Sequence, residues 1–154
     1  MGEPYHLIEE KAEAAVSAWL QDKATTDSLT GSTIVVGGDG SDLAYPLITI
    51  TATAAEPDLD NLGNYDVTVL VTIESSLTDS TRSEHSALAG SVCDVLVGRV
   101  WDDIAGEING LASPVADFTA IYWEPGTRTR MVDADDESRI TEQLGTLTCA
   151  PSTI

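Results

Sequence analysis

Residues 64–98, NYDVTVLVTIESSLTDSTRSEHSALAGSVCDVLVG, contain the clearest structural pattern of the chain. Within them, residues 67–74 alternate Val or Ile with Thr, Leu and Glu, which is the period of a half-buried strand. A polar turn follows, and apolar residues then recur at helical spacing over 88–100. Thr81 and Glu84 have the spacing of a capping box, so the helix is predicted to begin there. The segment predicts one strand, one turn and one long helix, with no catalytic motif.

Further elements are predicted on both sides of this segment. Apolar residues at helical spacing predict an N-terminal helix and a short helix directly after residue 98, at 5–23 and 99–110. Apolar residues that alternate with threonine predict a strand at 47–53. Alternating side chains at 117–124 and spaced apolar residues at 139–149 predict two more, and the short apolar run at 33–36 predicts another. Because a loop joins residues 47–53 to residues 67–73, these two strands are predicted to pair antiparallel.

Two details of the last strands are predicted from glycine and proline. Pro125 and Gly126 follow the strand at 117–124 and are expected to end it, with a polar, charged connection after them. Gly145 interrupts the alternation of the final strand, so a β-bulge is expected at that residue.

The order of the predicted elements is α, then β-β, then α-α, then β-β. Strands and helices are segregated, so an α+β fold is predicted, with a mostly antiparallel sheet and the N-terminal and central long helices packed on one face. The chain has 154 residues, of which 42% are hydrophobic. That size and composition suit a single domain, residues 1–154, with its own core.

The composition is strongly acidic. Twenty-six Asp and Glu against seven Lys and Arg give a net charge of −19. Such a surface disfavours binding to free nucleic acid and to anionic membranes. No apolar run approaches the roughly 18 residues of a membrane span, and no secretory signal is expected. Three interpretations of the acids stay open: they keep the protein soluble, they line a passage that DNA traverses, or they face a basic partner.

Motifs for catalysis, cofactors and metals are not found. The glycines at 37–40 complete neither a dinucleotide-binding nor a phosphate-binding loop, and Ser91 is not in a nucleophile elbow. His6 and His85 have no metal-ligand spacing and are expected at the surface. An acidic cluster lacks the glycine and glutamate of a calcium loop and is interpreted as solvated, with divalent-cation binding as the alternative: Asp133, Asp135, Asp136 and Glu137.

Two kinds of residue are candidates for subunit contact. Trp123 alternates out of phase with Phe118 and Tyr122, so it is expected on the opposite face of its strand, where a partner subunit would cover it. Arginines are scarce in this chain, which makes Arg82, Arg128 and Arg130 candidates for ion pairs between subunits. The alternatives are packing of Trp123 within one chain and arginine pairs within one chain. Cys93 is expected to be a small buried hydrophobe.

These patterns resemble the tail terminator and head–tail connector (tail completion) proteins of long-tailed bacteriophages. The resemblance is carried by YPLITITATA at residues 45–54 and by DVTVLVTIESSLTDSTRSEHSALAGSVCDVLV at residues 66–97. An N-terminal amphipathic helix, a glycine-containing loop and a late pair of strands match by their order. The acidic stretch 133–137 departs from the pattern.

The resemblance implies a structural virion protein of a tail or neck that is not an enzyme and needs no cofactor or metal. It implies a homo-oligomeric ring, commonly a hexamer, that terminates the tail tube and joins it to the head connector or adaptor. The ring's lumen passes genome DNA without binding it specifically, and the acids at 133–137 are expected in that lumen or in a solvated loop. Assembly in the bacterial host cytoplasm, with no membrane, is implied. The alternatives are another virion building block, such as a tail-tube or minor capsid subunit, and a small acidic metal-binding protein or enzyme.

Overall fold

The computed structural model describes residues 7–26, 33–36, 46–60, 63–78, 81–97, 101–112, 115–131 and 138–151. Within them the chain forms three helices and five strands. Their order is α1 (Ile8–Thr26), β1 (Thr33–Val36), β2 (Leu47–Pro57), β3 (Tyr65–Ser76), α2 (Arg82–Val97), α3 (Trp101–Asn109), β4 (Thr119–Met131) and β5 (Ser138–Ala150). The predicted α+β class is confirmed.

The strands form one five-stranded sheet in the order β1-β2-β3-β5-β4. β1 runs parallel to β2, and all other neighbours are antiparallel. The predicted antiparallel pairing of the two aliphatic strands is confirmed, with Ile50 opposite Val71. β1 and β4 are the two edge strands, and they carry the sheet's outward-facing backbone groups.

The core lies on the face of the sheet that the helices cover. Alternate residues of β3 point into it, and all four of the predicted aliphatic positions are fully buried: Val67, Val69, Val71 and Ile73. Trp19 and Leu20 of α1 and Val92 and Leu96 of α2 pack in the same cluster. Burial of each aliphatic side chain contributes roughly 1.5–3 kcal/mol. The alternation in the sequence is therefore explained by one covered face.

The capping box predicted for the central helix is confirmed. The backbone N–H of Glu84 donates to Thr81 Oγ1 at 3.1 Å, and the backbone N–H of Thr81 donates to Glu84 Oε1 at 2.9 Å. Each residue thus satisfies the other's amide at the start of α2, where no carbonyl of the helix is available. A cap of this kind stabilises a helix by about 1 kcal/mol.

Strand β4 differs from the prediction in length and in regularity. It continues through Pro125 and Gly126 to Met131. Its pairing with β5 shifts register twice, between Ala120 and Tyr122 and between Pro125 and Arg128. Proline is tolerated in β4 because an edge strand does not need a backbone donor on its outer side.

The bulge predicted at Gly145 is not in β5. Gly145 stays in register with Val69 of β3, and the irregularity lies in β4, where Pro125 opposes Gly145. Gly145 has a different role: a Cβ placed on it would lie 2.1 Å from the ring of Trp123. The glycine leaves room for the indole, which packs directly on its backbone.

Trp123 lies in the core and not at a subunit contact. Its side chain is 1% exposed, and its indole N–H donates to the carbonyl oxygen of Leu96 at 2.9 Å. The register shift between Ala120 and Tyr122 changes the phase of β4, so Trp123 joins Phe118 on the buried side. Strict alternation, assumed in the prediction, does not hold across that irregularity.

Substitution of Gly145 by alanine should destabilise the fold. The added methyl group must displace the Trp123 indole, and overpacking of this kind costs roughly 1–3 kcal/mol or more. The matched control is Gly106→Ala in α3, where a Cβ meets nothing within 4 Å and the gain in helix propensity is about 0.5–1 kcal/mol. Urea unfolding of both variants measures the difference, and equal midpoints for Gly145→Ala and the wild type would contradict the packing.

Candidate functional site

The residues predicted for subunit contact have different placements. Arg82 is exposed at the first residue of α2. Arg128 is exposed on β4, and its guanidinium is a hydrogen-bond partner of the Cys93 thiol. Trp123 is buried in the core. Arg130 belongs to β4 through its backbone, but its side chain lies outside the described residues. Arg82 and Arg128 thus remain accessible to a partner.

The four residues of the predicted acidic cluster lie outside the described residues: Asp133, Asp135, Asp136 and Glu137. His6 lies outside them as well. In the part of the chain that is described, no three His, Cys, Asp or Glu side chains are grouped so that they would hold a metal ion. Among the described helices, none is long and apolar enough to cross a membrane.

His85 is buried, contrary to the expectation of a surface position. The side chain is 2% exposed. Its Nδ1 is 2.8 Å from Ser75 Oγ in β3, and its Nε2 is 2.9 Å from Thr141 Oγ1 in β5. A signal was present in the sequence: His85 and Ala89 are four residues apart, so they share the buried face of α2.

The contact between Ser75 and His85 has the distance of a nucleophile and its base. Both side chains are buried, however, at 3% and 2% exposure, so no substrate reaches the serine. The group on the other ring nitrogen is the hydroxyl of Thr141, where a catalytic triad has a carboxylate. The three residues therefore fasten the first turn of α2 to the two central antiparallel strands.

A second polar contact joins the first and third helices. Glu107 of α3 accepts hydrogen bonds from two residues of α1: Trp19 Nε1 donates to Oε1 at 3.3 Å, and Lys23 Nζ donates to Oε2 at 3.0 Å. The ammonium of Lys23 is thus paired with a carboxylate of the same chain. Because the contact is partly buried, it fixes the relative position of the two helices more firmly than a surface ion pair would.

The two cysteines are free and buried. Burial raises the pKa of the Cys93 thiol, and the hydrogen bond from Arg128 opposes that rise. Burial, together with the charge of Asp66, raises the pKa of the Cys149 thiol to about 12. Both groups are therefore protonated at neutral pH and poor nucleophiles. The prediction of Cys93 as a buried hydrophobe is confirmed.

Glu13 of α1 lies at the irregular part of β2. Its carboxylate accepts a hydrogen bond from the backbone of Ala52, next to the register shift between Ala52 and Ala54. Partial burial raises the pKa of Glu13, and the charges of Glu10 and Glu9 raise it further, against the effect of that hydrogen bond. The carboxylate satisfies a bulged backbone group, as a structural role would require.

One face of the sheet lies opposite the helices, and we call it the open face. It consists of the positions of β2 to β5 that alternate with the core residues. Leu70 and Leu144 are directly opposed at its centre, and neither belongs to the core. Threonine is the commonest residue at the other open-face positions of β2, β3 and β5: Thr49, Thr51, Thr68, Thr72, Thr146 and Thr148.

All charged side chains of the open face are acidic. The register places five carboxylates on it: Glu56, Asp66, Glu74, Glu124 and Glu142. Asp66 accepts a hydrogen bond from Thr148 Oγ1 at 2.7 Å. The basic side chains that the structure describes lie on the helix side: Lys11, Lys23, Arg82, Arg128 and Arg139. The described bases are thus confined to the helix side, whereas acids lie on both sides of the sheet.

The sequence and the structure were both compared with known proteins. No protein-family model matches the sequence, and no curated protein matches it. Among solved structures, the chain is similar to the structure of the bacteriophage SPP1 gp17 protein, with a TM-score of 0.47 and 15% sequence identity, over 100% of both chains. A proposal about function therefore has to rest on the chain's own residues.

Replacement of Thr141 by valine should destabilise the protein by about 1–3 kcal/mol. The change keeps the side-chain shape but leaves the buried His85 ring nitrogen without its hydroxyl partner. The control is Thr146→Val on the open face of the same strand, where a change of less than about 0.5 kcal/mol is expected. Thermal unfolding of both variants measures the difference. Equal losses of stability in the two variants would mean that the hydrogen bond to His85 contributes nothing beyond what an open-face threonine contributes.

Proposed function

We propose that this protein is a structural, non-enzymatic component of a bacteriophage virion. In this proposal, copies of the chain form a homo-oligomeric ring, with six subunits, at the head–tail junction. The ring terminates the tail tube and joins it to the head connector. Support comes from the sequence resemblance and from the order of the folded elements: α1, the strand that follows Pro46, β3, the capped helix α2, and the late pair β4 and β5.

The observation that carries the proposal is that the open face has carboxylates but no described Lys or Arg, all of which lie on the helix side. Duplex DNA carries one negative charge per roughly 1.7 Å of its axis. A surface with carboxylates and without a described Lys or Arg repels that backbone, and its threonine hydroxyls are neutral. A DNA passage needs such a surface, because the genome has to move along it without adhering. We therefore place the open face toward the lumen.

The helix side then supplies the contacts between subunits. A chain with a net charge of −19 repels its own copies, so its few cationic side chains have to offset that repulsion where subunits meet. Lys23 is already paired with Glu107. Arg82 is exposed at the start of α2, and Arg128 is exposed beside Cys93. These two arginines are the proposed partners of acids on a neighbouring subunit.

Other partners follow from the position in the virion. The proposed ring contacts the tail-tube protein on one side and the connector or adaptor protein on the other, while the genome passes through without specific binding. No cofactor takes part. The protein is assembled in the bacterial host cytoplasm and then resides in the virion.

Particle mass and electron microscopy test the ring. Purified protein, alone and mixed with the tail-tube protein of the same genome, should give closed rings of uniform subunit number. Monomers in both samples would overturn the proposal. Open helical polymers would favour a tail-tube subunit, because a contact that does not close propagates. A shift in melting temperature on addition of calcium, without rings, would favour a metal-binding protein.

The assignment of the open face is tested by a matched pair of charge reversals in assembled rings. Glu142→Lys changes the open face, whereas Asp94→Lys makes the same change on the exposed side of α2. We expect Glu142→Lys rings to retain duplex DNA at low salt and to release it as salt rises. Asp94→Lys rings should behave like the wild type.

Retention by Asp94→Lys rings and not by Glu142→Lys rings would place the helix side toward the lumen. That result would not contradict the proposed ring, because both variants are compared only after microscopy has shown closed particles. The orientation of the sheet and the existence of the ring are therefore decided separately.

A further inference from the structure

Asn109, the last residue of α3, makes a paired contact with the beginning of β4. Its Nδ2 donates to the carbonyl oxygen of Ala120 at 2.7 Å. Its Oδ1 accepts from the backbone N–H of Ala120 at 2.8 Å. One side-chain amide therefore binds both backbone groups of one strand residue. This contact is not explained by the proposed function, and it was not predicted from the sequence.

The two groups that Asn109 binds belong to the edge of the sheet. β4 is the last strand in the sheet order, with β5 as its sheet neighbour. An N–H group has one hydrogen to donate, so the N–H of Ala120 points away from β5 when it donates to Asn109. A strand added beside β4 would need this same donor and the same carbonyl.

We propose that Asn109 closes the β4 edge against a strand from a second copy of this chain. The side-chain amide presents an N–H donor beside a carbonyl acceptor, as a peptide group does, so it occupies the position that the backbone of an added strand would take. Exposed edge strands invite such pairing, and proteins block them with local devices. The inference concerns the single chain and does not depend on the proposed ring.

Neighbouring features close the same stretch of edge. Before β4, Asp117 adopts a left-handed conformation with φ of 52°, and its carbonyl accepts from Lys11 Nζ at 3.3 Å. At the other end, Pro125 has no N–H to offer to a partner. Ile121 is 41% exposed between them. Without Asn109, an apolar side chain would stand beside an open donor and acceptor.

The occupant that the amide excludes is most simply another β4. The sheet has two edge strands, and β4 spans 13 residues whereas β1 spans 4. Two copies of β4 paired antiparallel are related by a two-fold axis, so the contact closes as a dimer. A strand of this length also gains more backbone hydrogen bonds than the short β1 would.

Asn109→Ala tests the inference under conditions in which the wild type has a defined particle mass. We expect the variant to associate further, with its mass doubling as concentration rises. At low concentration, hydrogen exchange at the Ala120 amide should accelerate at least about tenfold, the result of losing about 1.4 kcal/mol of protection. At high concentration the protection of that amide should return.

Two further variants separate edge pairing from simple loss of stability. Asn109→Asp loses the donor to Ala120 but puts a charge at the edge, which opposes pairing. It should be destabilised without associating. Ile121→Lys in the Asn109→Ala background should restore the wild-type mass. Fast exchange of Ala120 at every concentration, with no change in mass, would overturn the proposal and leave Asn109 as a structural contact. Association of Asn109→Asp to the same extent would overturn it as well.

Discussion

The packing of the Trp123 indole on the backbone of Gly145 holds three elements in place. Trp123 is in β4 and Gly145 is in β5, and a Cβ at residue 145 would lie 2.1 Å from the ring. The indole N–H reaches beyond the sheet to the carbonyl of Leu96 in α2. A large aromatic side chain needs both a space for its ring and a partner for its N–H when it is buried. Here one strand supplies the space and one helix supplies the partner.

The central helix is consequently fastened to the sheet at both ends. Near its first turn, the His85 ring binds hydroxyls of Ser75 and Thr141. Near its last turn, the Leu96 carbonyl accepts from Trp123. Between these points most contacts of the helix are apolar, and apolar contacts alone would permit the helix to slide or rotate. Directional hydrogen bonds at two separated points remove that freedom, and they pair the buried polar groups of His85 and Trp123.

Local patterns in the sequence were enough to predict β3, the cap of α2 and the pairing of β2 with β3, because each depends on residues close in the chain or on strict alternation. The placement of Trp123 was not predictable in this way. It depends on a register shift between Ala120 and Tyr122, which the sequence does not mark. Pro125 and Gly126 resembled a strand end because nothing local indicates that β4 is an edge strand.

The candidate surface was predictable in composition but not in arrangement. The excess of acids is visible in the sequence. That one face carries carboxylates and no described base is not visible there, because it depends on the register of four strands that are far apart in the chain. The same holds for His85, whose partners are 10 and 56 residues away. Likewise, Asn109 and Ala120 are 11 residues apart and meet only because α3 packs against β4.

Taken together, the charges and the closed edge restrict how copies of this chain can meet. Two open faces in contact would bring two sets of carboxylates together with no described base between them, and like charges at close range oppose association. Pairing through the first half of β4 is opposed by Asn109 and Pro125. Apart from the short edge of β1 and the last residues of β4, what remains among the described surfaces is the helix side, where the exposed guanidiniums lie. An assembly built through that side would leave the open face uncovered, as a surface facing DNA requires.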